Sequence, residues 1–416
     1  MTNQVLFCVL LFFRLCGGQT NDEDHPPETE LPPFDGWFNN LVHPDWGGID
    51  GQLLRRSVPN YADGVYHPSG PDRPNSFRIS KAAHHGEAGL GSMRSRNAML
   101  VYFGQQVVEE ILDSQRPGCP IEYFNIPVPP DHPFRQGEES LEMPFPRTRY
   151  DSRTGYSPNN PRQQLNEISP YIDGTLMYGP GKTWTDAIRE FKGGRLLAKD
   201  LSVPIHESFP ADNDIRLPFA NPPPPRDHEL RPVNRMWRLG NPRGFENPFL
   251  LAFGVLFFRW HNYLAMNIKA DHPTWNDEAV FNEARKHVIA HHQKLIMEDW
   301  LPRWLKIGNE TDPTTFFQIP PYDRNDLTSC TGPFCSFNGY SSEIHPGITQ
   351  EFQTAAMRWG HTLVTPGLWR RIAGGKGKCN WTKHTINVPT SQEVHAIRLC
   401  NAYWVGQVSL SMISNI

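Results

Sequence analysis

The sequence predicts a mainly α-helical protein whose helices are separated by long, proline-rich loops. Three segments carry apolar residues at helical spacing, 97–112, 248–268 and 278–305, and a shorter one spans 351–363. Proline accounts for 40 of the 416 residues, roughly double its usual share. Strand patterns are sparse, and long loops inside a compact domain usually surround a site. We therefore expect a helical domain with a site enclosed by its loops.

The first 34 residues are expected to precede the folded domain. Residues 5–13 form an apolar run of secretory-leader length, followed by small residues, which predicts a signal peptide over 1–19. Residues 20–34 are acidic and proline-rich, which predicts a flexible lead-in. The glycosylation sequons at Asn309 and Asn380 fit an extracellular location or the lumen of the secretory pathway.

Charge and hydropathy exclude two classes of partner. The formal net charge of -4 gives no basis for binding nucleic acid or an anionic membrane surface. The apolar run 248–258 is shorter than a bilayer span, so we expect a core helix there and no transmembrane helix in this chain. Of seven cysteines, five follow the leader. With an odd number, one thiol is expected to be unpaired or to join another chain.

The alternating residues 169–175 suggest a cation site. Ser169, Tyr171, Asp173 and Thr175 can place one carboxylate, two hydroxyls and a backbone carbonyl on one side of an extended loop. Such oxygen ligands suit a hard cation such as calcium. Taken alone, a plain turn around Asp173 explains the pattern better.

An arginine and a glutamate stand three residues apart before the apolar segment at 248. Arg243 and Glu246 can be a solvated pair at a helix start, or a cation and an acid that face one cavity.

Four histidines are candidates of unequal strength. His361 can be a ligand, but a buried core histidine is more common. His287 and His291 share a helix face but lack the glutamate of a zinc motif, which favours a surface role. His261 is undetermined by itself.

In order and spacing these segments resemble the animal haem peroxidase family. The matching pieces are an FGQ helix, the loop SPYIDGT, RGFE before an apolar helix, RWHN and RWGHTL. The resemblance covers 35 to about 405 and implies a peroxidase-like helical domain with long proline-rich loops. The stretches FDGWFNNL, VPNYADGVY, RPGCP and LCNAYW are similar to the N-terminal domain of the dual oxidases. After them the sequence departs from the family, so the domain 35–416 is expected to be incomplete at its C-terminus.

The resemblance implies two cofactors, haem b and calcium. His361 matches the proximal ligand of the haem iron. Arg243 matches the distal arginine that stabilises the departing oxygen of peroxide. Glu246 matches the glutamate that can form an ester with haem, and His261 matches a structural histidine. The implied calcium ligands lie in one loop: Ser169, Tyr171, Asp173 and Thr175.

The helix that carries FGQ departs from the family at its centre. Val108 stands where an aspartate forms a second haem ester, and Glu109 stands where the distal histidine is expected. Glu110 matches an aspartate of the calcium site. Gln105 and Glu109 are four apart, so both can face one cavity. Glu109 is a substitute base if burial tunes its pKa, but loss of histidine also fits a decayed active site.

Two functions follow from the resemblance. The first is a dual oxidase ectodomain that uses hydrogen peroxide to oxidise phenolic donors such as tyrosine. The second is a non-catalytic scaffold that docks on an NADPH oxidase module. An oxidase module or a maturation partner is expected in either case, and membrane association is expected only within a longer dual oxidase.

Overall fold

The structure, a computed structural model, is mainly helical and confirms the predicted fold class. It describes residues 31–70, 72–83, 90–92, 96–132, 135, 139–205, 207–217, 236–304, 341–364, 367–371 and 394–398. The α-helices are α1 Ser76–Ala83, α2 Met99–Ile111, α3 Thr175–Tyr178, α4 Lys182–Ile188, α5 Pro248–Asp271, α6 Asp277–Lys294, α7 Leu301–Trp304 and α8 Gln350–Thr354. A π-helix spans Leu295–Trp300, and a 3₁₀-helix spans Ala356–Leu363.

The strands of the described residues are short and form three separate antiparallel pairs. Strand β1 pairs with β4, β2 with β3, and β5 with β6. Their bounds are β1 Gly51–Gln52, β2 Ile126–Pro127, β3 Glu142–Met143, β4 Leu165–Asn166, β5 Gly367–Arg371 and β6 Val394–Arg398. The core is therefore built by helices.

The packing of α5 on α6 forms the centre of the core. The α6 residues Val280, Phe281, Ala284 and Val288 are all fully buried, as expected for one apolar face of a helix. By length and composition alone α5 could cross a membrane, but half of its most apolar window is buried inside the protein. This burial fits the core helix that the sequence predicts.

Two of the predicted helices change type along their length. The segment predicted as one helix over 278–305 ends as α6 at Lys294 and continues as the π-helix. There the indole of Trp300 donates to the carbonyl of Leu100 at 2.8 Å, and a Cβ on Gly104 would lie 3.0 Å from that indole. A tertiary contact with α2 therefore accompanies the π-helix, a turn type often found at functional sites.

The segment predicted over 351–363 is also not one α-helix. Thr349 caps α8 by accepting from the N–H of Phe352 at 3.1 Å, but α8 ends at Thr354. The chain leaves helical geometry at Ala355 and then forms the 3₁₀-helix. This tighter helix has three residues per turn, so positions three apart lie above one another.

Arginine–carboxylate ion pairs stabilise the long loop that follows α2. Glu122 pairs with Arg147 at 2.9 Å and with Arg162 at 2.8 Å. Glu167 pairs with Arg149 at 2.5 Å, and its N–H donates to the carbonyl of Asp113 at 2.7 Å. The loop is thereby joined to the chain that leaves α2.

Candidate functional site

Helix α2 places two adjacent glutamates in the protein interior. Glu109 is 3% exposed and Glu110 is fully buried, so neither belongs to a solvated face. They lie near different groups of residues. The distal cluster is Glu109, Asp113, Arg243, Glu246 and Arg358. The calcium group is Glu110, Ser169, Tyr171, Asp173 and Thr175.

Arg243 is the centre of the distal cluster. Its Nε pairs with the carboxylate of Glu109 and lies 3.6 Å from Oδ2 of Asp113. Its Nη2 donates to the carbonyls of Glu109 at 3.2 Å and of Leu112 at 2.8 Å. These carbonyls belong to the C-terminal end of α2, where a cation is favoured. Arg243 is 2% exposed, so the pair with Glu109 is shielded from water.

Burial raises the pKa of the acidic groups in this cluster. The pKa of Glu109 rises to about 8 because it is buried and lies near Glu246 and Asp113, although Arg243 and Arg358 oppose the rise. The pKa values of Asp113 and Glu246 are also raised, mainly by burial. Three carboxyl groups thus share two guanidinium groups, and Glu109 is able to exchange a proton near neutral pH.

Gln105 lies beside the start of α5. Its Oε1 accepts from Nδ2 of Asn247 at 2.8 Å. Asn247 also caps α5, since its Oδ1 accepts from the N–H groups of Phe249 and Leu250. This contact joins the helix that carries Glu109 to the turn that carries Glu246.

His361 lies on the 3₁₀-helix, which packs against α2. Arg358 is three residues earlier and therefore on the same side of that helix. Arg358 lowers the pKa of Glu109 and of Glu246, so its charge acts on the distal cluster. The side chain of His361 is exposed. The structure thus brings the predicted Arg243, Glu246 and Glu109 together, and it places His361 on the 3₁₀-helix that packs against α2.

The calcium group is a second buried cluster. Glu110 accepts from the N–H groups of Gly174 at 2.6 Å and Leu176 at 2.8 Å, at the start of α3. Oδ1 of Asp173 accepts from the Thr175 hydroxyl at 2.6 Å, whereas its buried Oδ2 has no hydrogen-bond partner. The structure therefore brings the predicted carboxylates and the Thr175 hydroxyl together.

Two buried carboxyl groups near one another suit a cation. Burial, together with the charge of Asp173, raises the pKa of Glu110 to about 8. Burial also raises the pKa of Asp173, while hydrogen bonds from Ser169 and Thr175 oppose the rise. The hydroxyl of Tyr171 donates instead to the carbonyl of Trp46 at 3.2 Å. The oxygen that the sequence pattern assigns to a cation would then be the backbone carbonyl rather than this hydroxyl.

This group differs in kind from a transition-metal site. Within the described ranges, no cluster of three or more His, Cys, Asp or Glu side chains is arranged to hold a metal ion. The calcium group has two carboxylates, and its other oxygens come from hydroxyl and carbonyl groups, as hard cations prefer.

The other three candidate histidines, His261, His287 and His291, have protein partners. Nδ1 of His261 bonds the Tyr178 hydroxyl at 2.8 Å, and Nε2 bonds the carbonyl of Gly194 at 2.9 Å, which supports a structural role. His287 pairs with Glu283 at 3.1 Å. Nδ1 of His291 accepts from Trp260 at 3.1 Å, so each of the two has a protein partner of its own.

Sequence reasoning missed two residues of the distal cluster and one histidine that lies beside Glu110. Asp113 follows Glu109 by four, a spacing that could have signalled it. Arg358 precedes His361 by three, a spacing that places both on one side of a helix. His292 is fully buried, with Nδ1 3.9 Å from Oε1 of Glu110, and burial lowers its pKa to about 4. No sequence pattern distinguishes it from its neighbour His291.

Several predictions from the sequence fall outside the described residues. They are the signal peptide, both sequons and all cysteines except Cys119. Cys119 is exposed, and it is the one cysteine in the part of the chain that the structure describes.

Comparisons with known proteins agree with the geometry. The family model described as animal haem peroxidase matches residues 31–415. Dual oxidase of Drosophila melanogaster is 39% identical over 380 residues, 91% of this chain and 22% of that protein. Dual oxidase 2 of Homo sapiens is 36% identical over 379 residues, 90% of this chain and 22% of that protein. The chain thus spans less than a quarter of the length of these relatives.

Solved structures show the same fold. Peroxidase A from Dictyostelium discoideum has a TM-score of 0.69 at 23% identity, over 91% of this chain and 65% of that chain. Oryza sativa fatty acid alpha-dioxygenase has a TM-score of 0.61 at 16% identity, over 96% of this chain and 59% of that chain. The family model and the relatives confirm the resemblance drawn from the motifs. The chain belongs to the animal haem peroxidase family.

Proposed function

We propose that this chain is the haem-binding, peroxidase-type ectodomain of a dual oxidase. It would use hydrogen peroxide to oxidise phenolic donors such as tyrosine. One observation carries the proposal: Glu109 of α2 forms a buried pair with Arg243, and the 3₁₀-helix with His361 packs against α2. The helix that holds a proton-exchanging acid beside a cation is thus packed against the helix that carries an exposed imidazole.

The residues present fit haem b. The exposed His361 is suited to ligate the iron, and the buried Nη1 of Arg243 has no hydrogen-bond partner. Glu246 is half-buried beside Arg243 and is the residue that can form an ester with haem. When bound, haem would supply the iron centre at which peroxide is reduced and donor electrons are accepted.

Two side chains of the chain itself would manage charge and protons. Glu109, with a pKa raised to about 8, is suited to take a proton from one peroxide oxygen and return it to the other. Arg243 would stabilise the negative charge that develops as the oxygen–oxygen bond breaks. Burial of both groups strengthens these interactions because water does not screen them.

The scaffold function is the second candidate, and one observation favours it. Arg243 is already bound by the Glu109 carboxylate and by two carbonyls of α2. An arginine held in this way stabilises the fold without any peroxide chemistry. Docking on an oxidase module at the extracellular or luminal side would then be the whole role of the chain.

Haem uptake separates the two functions. The full chain, produced with haem supplied, should show a Soret band, and His361→Ala should abolish it because the iron loses its protein ligand. His67→Ala is the matched control, since His67 is exposed and lies outside both clusters. Absence of a Soret band, or a band unchanged by His361→Ala, would contradict haem binding through His361.

Calcium binding predicts that one substitution changes the melting temperature differently in calcium and in chelator. Asp173→Asn keeps the size of the side chain but removes a charge from a pair of buried carboxylates. In excess calcium the variant should melt several degrees below the parent, because it loses the stabilisation that ligand binding gives the folded state. In chelator it should melt at the same temperature or higher, because the repulsion with Glu110 is relieved.

Circular dichroism recorded during heating measures the melting temperature in calcium and in chelator. Asp200→Asn is the control, because Asp200 is exposed and outside the calcium group. An Asp173→Asn variant that loses equal stability in calcium and in chelator would remove calcium from the proposal.

A further inference from the structure

The side chain of Asn247 is held at both of its ends. Its Oδ1 accepts from the N–H of Phe249 at 3.0 Å and of Leu250 at 3.1 Å, as the cap of α5. Its Nδ2 donates to Oε1 of Gln105 at 2.8 Å. Asn247 is 1% exposed, so water does not compete for these bonds.

The helix cap decides which way both amides face. The nitrogen and oxygen of an amide are similar in shape, and their assignment depends on hydrogen-bond partners. Two backbone N–H groups can be satisfied only by an oxygen, which fixes Oδ1 of Asn247 at the cap. Its NH₂ group must then face Gln105, and only Oε1 of Gln105 can accept from it. The NH₂ group of Gln105 is consequently the end directed away from Asn247.

We infer that Asn247 is a positioning residue, which orients Gln105 so that its NH₂ group donates to a molecule bound in front of Glu109. This inference rests on the proposed function. Gln105 precedes Glu109 by one helical turn, so the two side chains share a side of α2. A donor there favours ligands with an accepting atom, such as peroxide, hydroxide or fluoride. Asn247 itself acts only through Gln105.

Three substitutions separate orientation from simple stability. Asn247→Asp keeps an oxygen for the cap but has no NH₂ group, so Gln105 should turn and present its oxygen to the ligand. Asn247→Ser also caps a helix well but is too short to reach Gln105. Gln105→Ala removes the oriented amide. Both substitutions of Asn247 are therefore also made in a chain that carries Gln105→Ala.

The contact itself can be tested without haem. Melting temperatures of Asn247→Ser, Gln105→Ala and the double variant form a cycle that measures coupling between the two side chains. We expect the double variant to melt close to the less stable single variant. Fully additive losses would overturn the inference, whatever the result with haem.

The orientation is tested with fluoride on the haem-loaded chain, followed by its visible spectrum. Asn247→Asp should weaken fluoride binding about tenfold, roughly the value of one hydrogen bond. Asn247→Ser should weaken it less, since Gln105 can still turn either way. In the Gln105→Ala background, Asn247→Asp should have no further effect. A tenfold loss that persists there would be a direct charge effect and would overturn the inference.

Failure of the proposed function gives a different result. A chain that takes up no haem, but whose melting temperatures show coupling, keeps the Asn247–Gln105 contact and loses the peroxidase function.

Discussion

Replacing Arg243 by glutamine should lower the free energy of unfolding by about 3–5 kcal/mol at pH 8, the usual result of removing one partner of a buried ion pair. Arg243 is 2% exposed and lies between Glu109 and Asp113. Without it, these carboxyl groups must stay protonated or carry buried, uncompensated charge. The substitution also leaves the carbonyl of Leu112 without the donor that lies 2.8 Å away.

Arg243→Gln should also lower the activity of molecules that remain folded. If the haem-loaded chain oxidises phenols, Arg243→Gln should lower kcat/KM for peroxide by about 10²–10³, the range found on removing one charge-stabilising donor. Stopped-flow kinetics under conditions where the variant remains folded measures this effect. An unchanged kcat/KM would leave Arg243 with a structural role only.

Stability measured at two pH values provides the internal check. The pKa values of Glu109, Asp113 and Glu246 are raised in the folded state. Lowering the pH therefore protonates them in the folded chain before their ordinary values are reached. The loss in free energy of unfolding caused by Arg243→Gln should be smaller at pH 5 than at pH 8, since neutral carboxyl groups need no counter-ion. Arg153→Gln, which removes an exposed arginine paired with Asp151, should leave the unfolding midpoint unchanged.

Periodicity predicted the helical core because the apolar faces of α5 and α6 are properties of the local sequence. The helix types at 295–300 and 356–363 depend on contacts between distant segments. Trp300 reaches the carbonyl of Leu100, two hundred residues earlier in the chain. No local propensity contains that contact, so the π-helix could not be predicted from its own six residues.

Motifs located the site but did not give its bonds. The resemblance assigned Arg243 and Glu109 to one region, and the structure places them in contact. The resemblance could not show that the guanidinium also holds two carbonyls of α2, since backbone acceptors leave no mark on the sequence. Asn247 illustrates the same limit, because asparagine is a common helix cap but its residue type contains nothing of the bond to Gln105.

The identity of residue 109 should control the rate of the peroxide reaction. We expect Glu109→His to raise phenol oxidation by the haem-loaded chain about 10²-fold near pH 7, the lower end of what a positioned acid–base group contributes. Burial raises the pKa of Glu109 to about 8, so most of the chain at pH 7 has a protonated glutamic acid that cannot accept a proton. A histidine is already neutral there and can accept one.

The pH dependence of kcat/KM shows whether residue 109 acts as the base or whether the substitution improves the site in another way. With Glu109, kcat/KM for peroxide should rise with pH through about 8, as the carboxyl group loses its proton. With Glu109→His the rise should move to lower pH, because the imidazole is deprotonated earlier. Glu109→Gln matches the glutamate in size and exchanges no proton, so it should be severalfold slower than the parent and lack the rise near pH 8.

Haem spectra and circular dichroism of all three proteins establish that only the chemistry differs. A Glu109→His variant that binds haem normally, yet is no faster than Glu109→Gln at any pH, would show that a base at this position does not limit the reaction. Arg243, held by the carbonyls of α2, would then be confined to its structural role. The scaffold function would in that case account better for the buried pair that Arg243 forms with Glu109.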